Sequence, residues 1–212
     1  MRHVRWVLVF AVGALALCQP RTSTACFNEI IRSLPPVQNI ALAEKDLEKG
    51  LTGEVLWRVR THYPQIRGLG PDAPPLALRA QRIFALALVR ADGRLDSQLG
   101  WTRWANLEWA VETLAALDAK RPNDPGLQAD LAEAQTRLPR TRREGLHTLE
   151  DLDRRDLLGS PFAYLALVRA RRAIGDDLGA AHALERCVAR SEELEKLRCA
   201  ADFSGEPVRA GS

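Results

Sequence analysis

Prolines and glycines cut this chain into pieces of helix length, which constrains the fold class before any motif is read. Pro35-Pro36 precede a first segment, and Pro64 with the stretch 68–75 ends it. Pro122 and Pro125 flank a turn, Pro139 ends a further helix, and Pro161 opens another. Between these stops the apolar residues recur at helical spacing. Leu107, Val111, Leu114 and Leu117 fall at i, i+4, i+7 and i+10, and Leu184, Val188 and Leu194 repeat the stripe. Ala and Leu supply 63 of the 212 residues while strand-favouring types are sparse, so the pieces are predicted to be helices. One segment competes. Val55, Trp57 and Val59 alternate with polar residues as a strand would, but Leu51 and Glu54 suit a helix, and the segment is read as helical.

The first 25 residues have a different character. Arg2 and Arg5 precede twelve apolar residues, 6–17, too few to span a bilayer as a helix and the right length for a secretory signal core. Ser23-Thr24-Ala25 places small residues at the third and first positions before a cut, which predicts a mature chain beginning at Cys26. A rival reading is a lipoprotein signal ending Leu15-Ala16-Leu17-Cys18, in which Cys18 is acylated, although Leu17 stands where a small residue is expected. An uncleaved anchor is the third reading. No later stretch has the length and hydropathy of a membrane span.

Export gives meaning to both the charge and the cysteines. The full chain carries 30 Lys plus Arg against 27 Asp plus Glu, but Arg2, Arg5 and Arg21 lie in residues 1–25, which hold no acidic residue. A chain beginning at Cys26 is therefore formally neutral, which argues against bulk attraction to nucleic acid or anionic membrane. It also keeps three cysteines, Cys26, Cys187 and Cys199, so at least one is free, modified or paired between chains. In one continuous helix, Cys187 and Cys199 would have Cα atoms roughly 18 Å apart. A disulfide needs less than about 7 Å. Their pairing requires the last helix to break, and pairing of Cys26 with either is equally open. Cys187 as a small buried residue on a helix face is the simplest reading. No Cys or His stands at ligand spacing from another, and neither metal nor cofactor is expected.

The pieces pair as helix, short turn, helix. In the last pair Tyr164, Leu167 and Val168 are followed by Arg171, Gly175-Asp176, Ala180, Leu184 and Cys187. This pattern resembles a tetratricopeptide repeat, with Val168 replacing the small first-helix residue and Arg171 the usual aromatic. Small residues let two antiparallel helices approach, and large ones fill the groove between them. The frame also fits, less well, Leu42, Ala43, Gly50, Val55 and Val59 within 36–66. It fits Ala85 and Leu86 with Asp92-Gly93-Arg94-Leu95, where residues before Trp101 lengthen the turn. It fits Gly145, Leu149 and Leu152, closing a unit that begins near Leu127. The resemblance implies an all-α stack of antiparallel hairpins, an α-solenoid of about four units over 36–200. Residues 26–35 would form an N-terminal arm and 201–212 a flexible tail. An ordinary helical bundle is the alternative.

No phosphate loop, dinucleotide fingerprint, nucleophile elbow or two-histidine zinc helix is present in the sequence. His147 lies near Glu150, Asp151 and Asp153, and is read as part of a solvated surface cluster. Trp101 and Trp104 would share a helix face, with Trp109 turned away, as either a peptide or carbohydrate platform or a core plug. The repeat resemblance implies that Arg90, Arg137 and Arg172, equivalent in three successive units, face a concave groove. Basic residues there clamp the carboxylates of a peptide tail in some family members. The expected protein is thus an exported, non-enzymatic scaffold, periplasmic or extracellular, that binds a protein or peptide. Its rivals are an exported helical enzyme or small-ligand binder built around His147 and a lipid-anchored assembly factor.

Overall fold

The computed structural model describes residues 34–94, 100–191 and 199. Among the described residues there are eight α-helices and no strand: α1 (Pro36–Glu48), α2 (Thr52–His62), α3 (Pro75–Arg90), α4 (Arg103–Lys120), α5 (Pro125–Gln135), α6 (Arg142–Arg154), α7 (Pro161–Arg172) and α8 (Asp177–Ala189). A 3₁₀ turn, Ile66–Gly68, lies between α2 and α3. The segment with alternating Val55, Trp57 and Val59 is helical, with Val55 and Val59 buried one turn apart. The proposed signal, the N-terminal arm up to residue 33, Cys18, Cys26, Leu194 and the tail 201–212 lie outside the described residues.

Proline marks every odd-numbered helix. Pro36, Pro75, Pro125 and Pro161 each occupy the first turn, where a missing N–H costs nothing and the fixed φ is already helical. Side-chain caps then sharpen several starts. Asp124 Oδ1 accepts from Gly126 N at 3.0 Å and Leu127 N at 3.2 Å, Ser160 Oγ from Phe162 N at 3.2 Å, and Asp176 Oδ1 from Gly179 N at 2.9 Å. Pro139 does not end α5. That helix stops at Gln135, where Thr136 Oγ1 donates back to the Glu133 carbonyl at 2.7 Å, and the proline sits in the following turn.

Each odd helix packs against its successor, giving the pairs α1–α2, α3–α4, α5–α6 and α7–α8. The odd helices also touch in series, α1 on α3, α3 on α5 and α5 on α7. Two hydrophobic clusters result. The first runs from Ile40 to Ala134 around Phe84, Leu88 and Leu114; the second gathers Leu149, Leu158, Tyr164, Leu167 and Cys187. Helix α5 serves both, sending Leu127 and Ala134 into the first and Ala129 and Ala132 into the second.

Two glycines set how closely neighbours approach. Gly93 has φ +68°, and a Cβ there would stand 2.4 Å from the Arg103 carbonyl at the start of α4. Gly145 is where α6 meets α5. A Cβ would lie 2.7 Å from the Ala132 carbonyl and 2.9 Å from Gln135 Cβ. Gly145→Ala is therefore expected to lower stability, since overpacking costs about 1–3 kcal/mol and alanine's better helix propensity returns at most about 1 kcal/mol. Urea unfolding measures it; an unchanged midpoint would show that α5 and α6 separate without cost.

The last helix does break. It ends at Ala189, and Cys187 and Cys199 form a disulfide with Cα atoms 6.2 Å apart. The break that this pairing requires is therefore present, and Cys187 is buried on a helix face as expected, bonded to Cys199. Both sulfurs are fully buried in the second cluster.

Candidate binding groove

The charged face of the molecule is assembled from the odd helices. On α3, Arg82, Leu86 and Arg90 stand one turn apart and form a single stripe. On α5, Asp130 and Glu133 stand three residues apart. The two stripes meet as rungs. Arg82 pairs with Asp130, and Arg90 holds Glu133 through two nitrogens, Nε at 3.2 Å and Nη2 at 3.3 Å. On the other side Arg79 of α3 pairs with Glu44 of α1. These helices and the start of α7 enclose a groove of about 830 Å³ lined by Glu44, Arg82, Leu86, Arg90, Asp130 and Phe162. Lys45, Lys49 and Arg190 line it as well.

Arg90 ties the four odd helices together. Besides Glu133 on α5, its Nη1 donates to the Leu47 carbonyl of α1 at 3.1 Å, and its guanidinium lies 4.0 Å from the centre of the Phe162 ring at the start of α7. The pair is almost dry, with 8% of the Arg90 and 2% of the Glu133 side chain exposed.

Asp130 is the titratable group of the wall. Burial pushes its carboxyl up to about 6, against the downward pull of Arg82. Because the folded state holds this proton more tightly than an unfolded chain, with its ordinary value of 3.8, the group adds stability as pH falls from about 6 towards 4. The stability difference between the native protein and Asp130→Asn should accordingly move in favour of the native protein between pH 7 and pH 4. Denaturant titrations at both pH values measure it, and a difference that stays constant would refute the assignment.

The sequence-predicted row of arginines does not share one cavity. Arg90 lines the groove, with its fork on Glu133. Arg137 lines a separate depression at the far ends of α3, α5 and α7. Arg172, half-buried in the last turn of α7, lines neither. The tryptophans are also redistributed. Helix α4 starts only at Arg103, capped by Thr102 Oγ1, so Trp101 precedes it and does not share a helical face with Trp104. Trp101 instead joins Trp109 and Phe84 around Arg67, whose guanidinium carbon lies 4.0, 4.9 and 5.7 Å from the three ring centres. Trp104 is 47% exposed and stacks on Arg103 at 4.4 Å. Neither Trp101 nor Trp104 reaches the groove.

His147 is exposed and shares a shallow depression with Glu144 and Asp151. Glu150 is drawn away to Arg171 at 3.3 Å, and Arg171 in turn donates to the Gly179 carbonyl at 2.7 Å, joining α6, α7 and α8. The residues missed by sequence reading are Glu44, Arg82, Asp130 and Phe162. Their signal was present as complementary stripes, basic at spacing eight on α3 and acidic at spacing three on α5.

In comparisons with known proteins, no protein-family model, no curated protein and no solved structure matches this chain. What the structure defines is a class: an all-helical protein of paired helices, with a charged groove along the odd members.

Proposed function

We propose that this chain is an exported scaffold of stacked tetratricopeptide-like hairpins that holds a protein or peptide along the groove, without catalysis. The observation that carries the reading is that side chains from four successive odd helices line one open groove. A stack of hairpins presents such a surface to an extended partner. Both signs of charge line it, and an extended peptide offers matching carboxylates, amines and backbone groups. Export rests on the sequence of residues 1–25 and is supported by the disulfide, since such bonds persist outside the cytoplasm.

A photo-crosslinking residue placed at Lys49, on the groove, is compared with one at Arg143, exposed on α6 and outside it. The same partner should be captured from position 49 and not from 143, and a Lys45→Glu, Glu44→Lys background should abolish capture. Equal capture from both positions, or none from either, would overturn the proposal.

A further inference from the structure

We propose that the groove continues into a side pocket that seats one aromatic side chain of the peptide it holds, with an acidic residue of that peptide beside it. The inference rests on the reading of the groove as a peptide site. The pocket is a cavity of about 330 Å³ between α3 and α4, walled by Leu69, Leu78, Trp109, Ala116 and Leu117. Sequence spacing builds it. Trp109, Thr113, Ala116 and Lys120 recur at i, i+4, i+7 and i+11 and form one stripe of α4, while Leu78 and Gln81 share a face of α3. The remaining wall is the connection that follows α2, and it is tied down at both ends. Gln81 Nε2 donates to the Ile66 and Leu69 carbonyls at 3.1 and 2.9 Å, and Lys120 Nζ donates to the Pro71 carbonyl. The pocket is thus formed before a ligand arrives, and filling it needs no loop to be ordered.

Apolar surface and continuity decide the occupant. Leu69, Leu78 and Trp109 lie at the edge of the first hydrophobic cluster and stay half-buried, which leaves apolar surface for a guest to cover. Trp109 meets Phe84 edge to face at 5.7 Å within the cluster, and where it lines the pocket it offers an aromatic guest a ring to pack on. A passage of about 400 Å³ joins pocket to groove, sharing Leu78, Leu117 and Lys120 with the one and Glu44 and Arg82 with the other. Along α3 the route runs from Leu78 past Arg82 and Leu86 to Arg90, roughly 18 Å of helix. Extended chain covers that in about five or six residues. The passage also has a sign. Arg79, Arg82, Lys120 and Arg121 line it, with Glu44 the carboxylate among them. Each cation has a partner, Arg79 in Glu44, Arg82 in Asp130, Lys120 in Asp72 and Arg121 in Asp124, but the last three carboxylates stand outside the passage. Exposed pairs such as Lys120 with Asp72 hold only weakly in water, so a peptide carboxylate can share or replace such a partner.

The test is selection of phage-displayed random peptides of about twelve residues, twice the length of the route, on the full chain. Enriched sequences should carry Trp, Phe or Tyr with Asp or Glu a few positions to one side, and a fluorescein-labelled synthetic copy should bind saturably by anisotropy. Replacing its aromatic residue with Ala should weaken binding at least tenfold, and so should Ala116→Trp in the protein, which fills the pocket. Ala116 is exposed, so the variant leaves the core intact, and Ala115→Trp, exposed on the same helix but outside the pocket, should change nothing. The peptide without its aromatic residue should bind the native and Ala116→Trp chains alike, which a general loss of fold would not produce. Three results would overturn the pocket and leave the groove: enriched peptides without an aromatic residue, equal weakening by Ala115→Trp, or no effect of Ala116→Trp on peptides that the Lys45→Glu, Glu44→Lys background no longer binds. Recovery of no binding peptide would overturn both.

Discussion

Arg90→Ala should destabilise the fold by about 3–5 kcal/mol, the usual consequence of removing one partner from a buried ion pair. The reason lies in what is left behind. Glu133 is 2% exposed and loses both of its hydrogen bonds to Arg90, so its carboxylate is stranded where water scarcely reaches. The Leu47 carbonyl loses a donor and the Phe162 ring loses its stacked cation. Since those contacts reach α1, α5 and α7 from α3, the damage spreads across the series of odd helices. The native pair itself is not strongly stabilising relative to an apolar replacement, because both charges had to leave water. Replacing both residues, Arg90→Met with Glu133→Leu, should therefore recover most of the loss. Equilibrium unfolding of the two single variants and the double variant measures the coupling. A single-variant loss below about 1 kcal/mol would show that water reaches Glu133, and would free Arg90 to serve a ligand directly.

That outcome bears on how the groove was read from sequence. The helical class and the approximate limits of the helices were legible, because proline position and apolar spacing are local properties that a helix start requires. The long connection before Trp101 was legible for the same reason: Asp92 and Gly93 take positive φ and stop α3. The site was less accessible. Arg90 was selected by position in a repeat frame, yet what an arginine does depends on which carboxylate the packing brings to it. Glu133 lies 43 positions away, and nothing local to Arg90 announces it. Trp101 failed for a different reason. Helical spacing was applied across a helix start, and Thr102 places the boundary just after the tryptophan. Arg171, noted in the sequence as a departure from the repeat pattern, turned out to join Glu150 to the start of α8, a contact between elements that periodicity does not encode.

Removing the disulfide, by Cys187→Ser with Cys199→Ser, should cost about 3 kcal/mol in unfolding free energy. The bond spans 12 positions, and a loop of that size loses about this much conformational freedom in the unfolded chain when it is closed. The melting temperature should fall by about 2–4 °C per kcal/mol for a domain of this length. Two local features predict where the effect appears. Ser191 Oγ donates to the Cys187 carbonyl at 2.6 Å, holding the chain where α8 ends, and Cys199 is fully buried in the second cluster beside α7 and α8. Loss of the bond releases that cysteine from the core, so amide exchange should rise in α8 more than in α1 or α2. The same bond settles the cysteine arithmetic. With Cys187 and Cys199 joined, a mature chain beginning at Cys26 keeps that cysteine outside the pair, and Cys26→Ser should leave the melting temperature unchanged. Peptide mapping without reductant should recover the 187–199 link, and alkylation of a chain beginning at Cys26 should label Cys26 alone. A link from Cys26 to either partner, or an undiminished melting temperature in the double serine variant, would mean that the last turn of α8 is held by packing and not by its sulfur bridge.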